Sequence, residues 1–173
     1  MKKVILYTDG ACSGNPGKGG WGAVLKYKDF QKEFSDYNEN TTNNQMELTA
    51  VVEGLKKLKE PCDVDVFTDS AYVCNAFTQN WVETWKQNGF KNSSNKVISN
   101  ITLWQELLSL CSVHNVVFHK VKGHADDQLN NLCDKLATDQ IKKHSWFLFG
   151  NYCIRNNCQC NFEYNCAIYI NYS

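Results

Sequence analysis

The chain has 173 residues, with 18 basic and 18 acidic side chains, no formal net charge and 43% hydrophobic residues. That length holds one domain with a proper core and excludes two large ones. The composition excludes a disordered chain, and the charge balance means that any surface for a polyanion must be local.

In chain order, the opening MKKVILYTDG offers only a short apolar run, too short for a signal-peptide core or a membrane span. A cytoplasmic protein with no membrane partner is therefore expected. VILYTDGACS reads as a buried strand closed by an Asp-Gly turn. The glycine-rich GNPGKGGWG follows, and then AVLKYK and QKEFSDYNE read as two antiparallel strands. TTNNQMELTAVVEGLKKLKE carries capping residues ahead of Met46, Ala50, Val51, Leu55 and Leu58 at helical spacing, and Pro61 stops that helix. Residues 62–68 are a fourth strand, and Asp69-Ser70 caps a short helix reaching Phe77. The segment 80–96 is aromatic and basic. Beyond it come a helix over 100–112, a strand over 115–121, a loop over 122–128 and a last helix over 129–143. Antiparallel strands followed by β-α-β crossovers predict an α/β fold, a mixed sheet with helices packed on it.

The chain divides at about residue 144, and 145–173 is a Cys/Asn/Tyr-rich extension with only Arg155 and Glu163 as charges. Of nine cysteines, Cys12, Cys62, Cys74, Cys111 and Cys133 are scattered singly and suit reduced thiols. Cys153, Cys158, Cys160 and Cys166 crowd the extension, but they lack the paired C-x₂-C knuckles of structural zinc. The extension is expected to have no dedicated role; a packing or partner-binding appendage, suggested by its aromatic density, is the alternative.

Four acids stand out. Asp9 ends the first strand and Asp69 the fourth, where sites form in α/β sheets. Each alone reads as turn or cap chemistry. Glu47 and Asp134 are different. Glu47 shares a helical face with Ala50, Val51, Gly54, Leu55 and Leu58, and Asp134 aligns with Ala137 and Ile141. A carboxylate aimed at apolar surroundings is costly without a cation, and neither face has a Lys or Arg at the right spacing. A divalent ion is the natural partner. Oxygen ligands in that number suit Mg²⁺ or Mn²⁺, and four acids could hold two ions about 4 Å apart for phosphodiester cleavage.

YTDGACSGNPGKGGWG, TTNNQMELTAVVEGL, DVFTDSAYV and KVKGHADDQLNNLCDKLA resemble, in order and spacing, the four blocks of type 1 ribonuclease H. The resemblance spans about residues 1–144. It implies the ribonuclease H-like fold, a five-stranded sheet of order 3-2-1-4-5 with helices on both faces. It also implies an endonuclease that cuts the RNA strand of RNA–DNA hybrids with two Mg²⁺ ions (Mn²⁺ as substitute), leaving 5′-phosphate and 3′-hydroxyl ends. On this reading Asp9 bridges both ions, Glu47 and Asp69 complete one site, and Asp134 completes the other. His124, in the loop KGHADD, would assist proton transfer or product departure.

The resemblance further assigns contact with RNA 2′-hydroxyls to Cys12, Gly14, Asn15 and Asn43, with Asn44 beside them, and DNA phosphates to Thr42 and Asn15. Trp81, Trp85 and Lys86, with Phe90, Lys91 and Lys96, resemble the basic protrusion with which some members grip the hybrid. Core packing of one of the two tryptophans is an equal alternative. Three positions depart from the family. Ala71 replaces a glutamine, Gln45 replaces an arginine, and Asp126 and Asp127 make the loop after His124 more acidic. Weaker substrate binding, not inactivity, is expected. A monomer is expected. The alternatives are a retroelement-derived ribonuclease H domain, against which the N-terminal methionine and domain length argue, and a non-catalytic hybrid-binding module, against which the intact acids argue.

Overall fold

A computed structural model describes residues 1–122 and 127–155, and of 146–155 the backbone alone. Cys158, Cys160, Cys166 and the histidine at 124 lie outside the described residues, as does the side chain of Cys153. Met1–Ile141 forms one compact unit, and a second unit begins at Lys142.

The elements are β1 (Lys2–Gly14), β2 (Gly17–Tyr27), β3 (Phe30–Thr41), α1 (Asn43–Lys56), β4 (Cys62–Thr68), α2 (Ala71–Thr78), α3 (Trp81–Asn88), α4 (Ile101–Val113), β5 (Asn115–Lys120) and α5 (Gln128–Arg155). The sheet order is β3-β2-β1-β4-β5. β1, β2 and β3 pair antiparallel, whereas β1 with β4 and β4 with β5 are parallel. This is the expected mixed sheet in the expected order.

Alternation along the strands sorts the two faces. On one, Val4, Leu6, Val64 and Val66 are buried, and Leu6 lies against Gly54 of α1. Leu48, Val51, Val52 and Leu55 of α1 and Trp104 and Leu107 of α4 complete that core. The other face of β2 receives α5. A Cβ at Gly20 would stand 2.2 Å from the Ala137 carbonyl oxygen, and one at Gly22 would stand 2.4 Å from that of Cys133. Helices therefore lie on both faces.

Four boundaries differ from the sequence reading. The glycine-rich stretch is strand, because Gly19, Gly20 and Gly22 remove side chains exactly where α1 and α5 press on β2. Asp9 does not end β1. The strand continues to Gly14 in its hairpin with β2, and what stops near Asp9 is the parallel ladder to β4, whose last pair is Tyr7 with Phe67. Residues 81–88 form a helix. The last helix runs on past 143 to Arg155, since no proline interrupts that stretch.

Candidate active site

The dipeptide Asp9-Gly10 brings two helices to one place. Asp9 is paired across the hairpin with Gly22, so its side chain shares the face on which α5 sits, near Cys133 and hence Asp134. Gly10 points the other way. A Cβ there would lie 2.3 Å from the Glu47 backbone nitrogen, so only glycine lets the first turns of α1 reach β1. Asp69 follows the end of β4, the parallel neighbour of β1.

As a result Asp9, Glu47, Asp69 and Asp134 line one cavity of about 270 Å³, together with Cys12 and Asn43. Among the described residues, no Lys, Arg or His lines it. Burial first, and then the charges of Asp69, Asp134 and Glu47, push the Asp9 carboxyl up to about 7, against the Gly10 N–H that donates to its Oδ1 at 2.7 Å. Glu47 is also raised, by burial and by Asp69, while hydrogen bonds from Ser70 and Asn43 oppose the shift. Like charges at such a site spread apart unless a cation draws them together, and among the described residues no three of them already close into a metal cage. The four acids nonetheless offer an all-oxygen donor set with no cationic side chain among the described lining residues, which fits Mg²⁺ or Mn²⁺.

Glu47 is held at both carboxylate oxygens. Asn43, one helical turn earlier, donates its Nδ2 to Oε1 at 2.8 Å, and the Ser70 hydroxyl donates to Oε2. The start of α1 is set by a capping box: Thr42 Oγ1 accepts from the Gln45 N–H, and Gln45 Oε1 accepts from the Thr42 N–H. The glutamine that departs from the family pattern is thus part of the helix start. Asp127 likewise accepts from the N–H groups of Leu129 and Asn130 at the start of α5.

The other expected contact residues lie on β1, on the hairpin tip after it, on α1 and on α3. The Cys12 thiol donates to the Thr41 carbonyl at 3.3 Å. Gly14 and Asn15 are exposed at the hairpin tip, where Gly14 has φ +96 and Asn15 Oδ1 accepts from the Asn43 N–H. Asn44 is exposed in the first turn of α1. Trp81 and Trp85 are half-buried on α3 and pack on the core, Trp85 with its ring 5.1 Å from that of Trp104. Lys86 is exposed and paired with Glu83 at 2.9 Å. None of these α3 residues lines the acidic cavity.

Sequence reasoning missed two residues here. Ser70 was legible as a cap, but its bond to Glu47 depends on a contact 23 positions away. Asn130 lines the cavity with its Oδ1 buried and without a hydrogen-bond partner among the described residues, and only its nearness to Asp134 in the chain could have pointed to it.

Comparison with known proteins gives one family. The RNase H family model matches residues 1–142. A Ribonuclease H of Acetivibrio thermocellus is 59% identical over 145 residues, 84% of this chain and 99% of that protein. One from Chlorobaculum parvum is 55% identical over 144 residues, 83% and 99% of the two chains. Among solved structures, LC9-RNase H1, a type 1 RNase H with the type 2 active-site motif, superposes with a TM-score of 0.74 at 30% identity, covering 83% of this chain and 74% of that one. LC11-RNase H1 in complex with RNA/DNA hybrid gives 0.62 at 25% identity, covering 82% and 98%.

Proposed function

This chain belongs to the ribonuclease H family, and we propose that it hydrolyses the RNA strand of RNA–DNA hybrids, leaving 5′-phosphate and 3′-hydroxyl ends, with Asp9, Glu47, Asp69 and Asp134 as ligands of two Mg²⁺ ions. Mn²⁺ would substitute. The observation that carries this reading is the convergence of four carboxylates on a single cavity with no cationic side chain among its described lining residues. The hybrid bound by LC11-RNase H1 supports the choice of substrate.

Divalent ions held by Asp9, Glu47, Asp69 and Asp134 would supply Lewis acidity and an activated water. The chain's own residues supply placement. Gly10 lets α1 seat Glu47 against β1, and Asp9 is steadied by the Gly10 N–H. Cys12 and Asn43 line the acidic cavity, and Gly14, Asn15 and Asn44 are exposed on the hairpin tip and the first turn of α1; all five present short side chains or bare backbone, suited to close approach of a minor groove and its 2′-hydroxyls. Thr42 and Asn15 would meet DNA phosphates, with Trp81, Trp85 and Lys86 gripping the duplex farther along. The histidine at 124 would move a proton or speed product departure. The catalytic domain would end near residue 144 and act as a cytoplasmic monomer.

The test is cleavage of labelled RNA–DNA hybrid, RNA duplex and DNA duplex with Mg²⁺, with Mn²⁺ or with chelator. Only the hybrid's RNA strand should be cut, chelator should stop it, and Asp9→Asn should abolish it. A hybrid that survives in both metals, or an Asp9→Asn protein that cuts like its parent, would sink the reading.

A further inference from the structure

We infer that Ser70 is a positioning residue for Glu47, acting jointly with Asn43 to fix the glutamate's carboxylate in the orientation that takes a divalent ion. This rests on the metal-binding reading above. Ser70 is 2% exposed, and its hydroxyl has two tasks. The oxygen accepts from the Val73 N–H at 3.2 Å, capping α2. That bond occupies a lone pair and anchors the oxygen, and the hydroxyl's single proton goes to Glu47 Oε2.

Asn43 meets the other oxygen of the same carboxylate at 2.8 Å from within α1. Each oxygen of Glu47 thus takes one donor and keeps lone-pair capacity toward the cavity, which Asp69 also lines. Because Ser70 directly follows Asp69, the start of α2 carries one acid in its chain and holds a second through a hydrogen bond. Two acids from different elements are in this way placed relative to each other before any ion arrives. Partners that orient metal-binding side chains are worth about ten- to a hundredfold in affinity.

A purely structural serine would cap α2 and nothing more. The two roles are separated by Mn²⁺ binding to substrate-free protein, measured by electron paramagnetic resonance with a thermal melt beside each titration. Ser70→Ala should weaken Mn²⁺ binding about tenfold, and Ser70→Thr, which keeps the hydroxyl, should restore it. Asn43→Ala, which removes no helix cap, should weaken it in the same direction. In a Glu47→Gln background Ser70→Ala should add nothing. The inference is overturned if Ser70→Ala lowers the melting temperature but binds Mn²⁺ like the parent, or if it weakens binding equally with and without Glu47. Should Ser70→Ala not fold, Asn43→Ala alone and with Glu47→Gln decides by the same criterion. Failure of the parent to bind Mn²⁺, or binding by Asp9→Asn as tight as the parent's, would instead overturn the metal reading on which the inference stands.

Discussion

At the scale of single residues, Asp9 concentrates the electrostatics of the site. Folding raises its carboxyl from an ordinary 3.8 to about 7. Between those values the native protein holds a proton that the unfolded chain has released, so native proton binding exceeds unfolded. The stability of the metal-free protein should then fall as pH rises from about 4 to about 7. His114 has the opposite sign. Its Nδ1 accepts from the Cys62 N–H at 3.3 Å and burial lowers its pKa, so its contribution is lost on acidification below the ordinary 6.5. Melting temperatures in chelator for the parent and Asp9→Asn cancel the histidine, and the parent's should decline more steeply toward neutrality. Equal slopes would count against the assignment. Protons and divalent ions compete for the same carboxylate, so Mg²⁺ affinity should drop by up to about tenfold per pH unit below 7. Glu47 and Asp134 were legible in the sequence because they interrupt apolar stripes that have no Lys or Arg at helical spacing. Ser70 was legible only as a cap, since a hydroxyl's second partner is decided by tertiary packing.

At the scale of elements, the start of α1 ties helix stability to the site. Thr42 caps the helix whose first two turns carry Asn43 and Glu47. Thr42→Ala should cost about 1 kcal/mol and lower the melting temperature by about 2–4 °C, with a parallel loss of Mg²⁺ affinity. Thr42→Asp, which can still cap, should recover most of the stability in the same calorimetric scan. The helix was plain in the sequence from its caps and its 3.6-residue spacing. β2 was not, because its glycines suit a loop as well as a strand, and only the helix backbones pressed against it explain them. α3 was missed for a different reason. Its Trp81 and Trp85 resemble a duplex-gripping pair, and both also pack partly on the core, Trp85 against Trp104 and Trp81 against Trp85. The end of α5 was misplaced because a change in composition near residue 144 carries no stop signal of its own.

At the scale of the whole molecule, the strand order could be anticipated from the order of blocks along the chain, and the five-stranded mixed sheet agrees with it. The extension has no such precedent. The relatives are matched over 99% of their own length by 83–84% of this chain, so they lack a counterpart to its remainder. Removing 145–173 should therefore leave hybrid cleavage and its Mg²⁺ dependence unchanged in the labelled-strand assay; a large loss of activity or folding would show that the extension contributes. The bare glycines of the sheet have a last consequence. Where Gly10 meets α1 and Gly20 and Gly22 meet α5, backbone touches backbone, and no side-chain rotamer is available to absorb a shift. The spacing of Asp9, Glu47 and Asp134 is accordingly a property of the main chain, as stiff as the sheet itself. On warming, the proposed grip on an ion should therefore not soften by degrees but persist until the cooperative transition and be lost with it in one step.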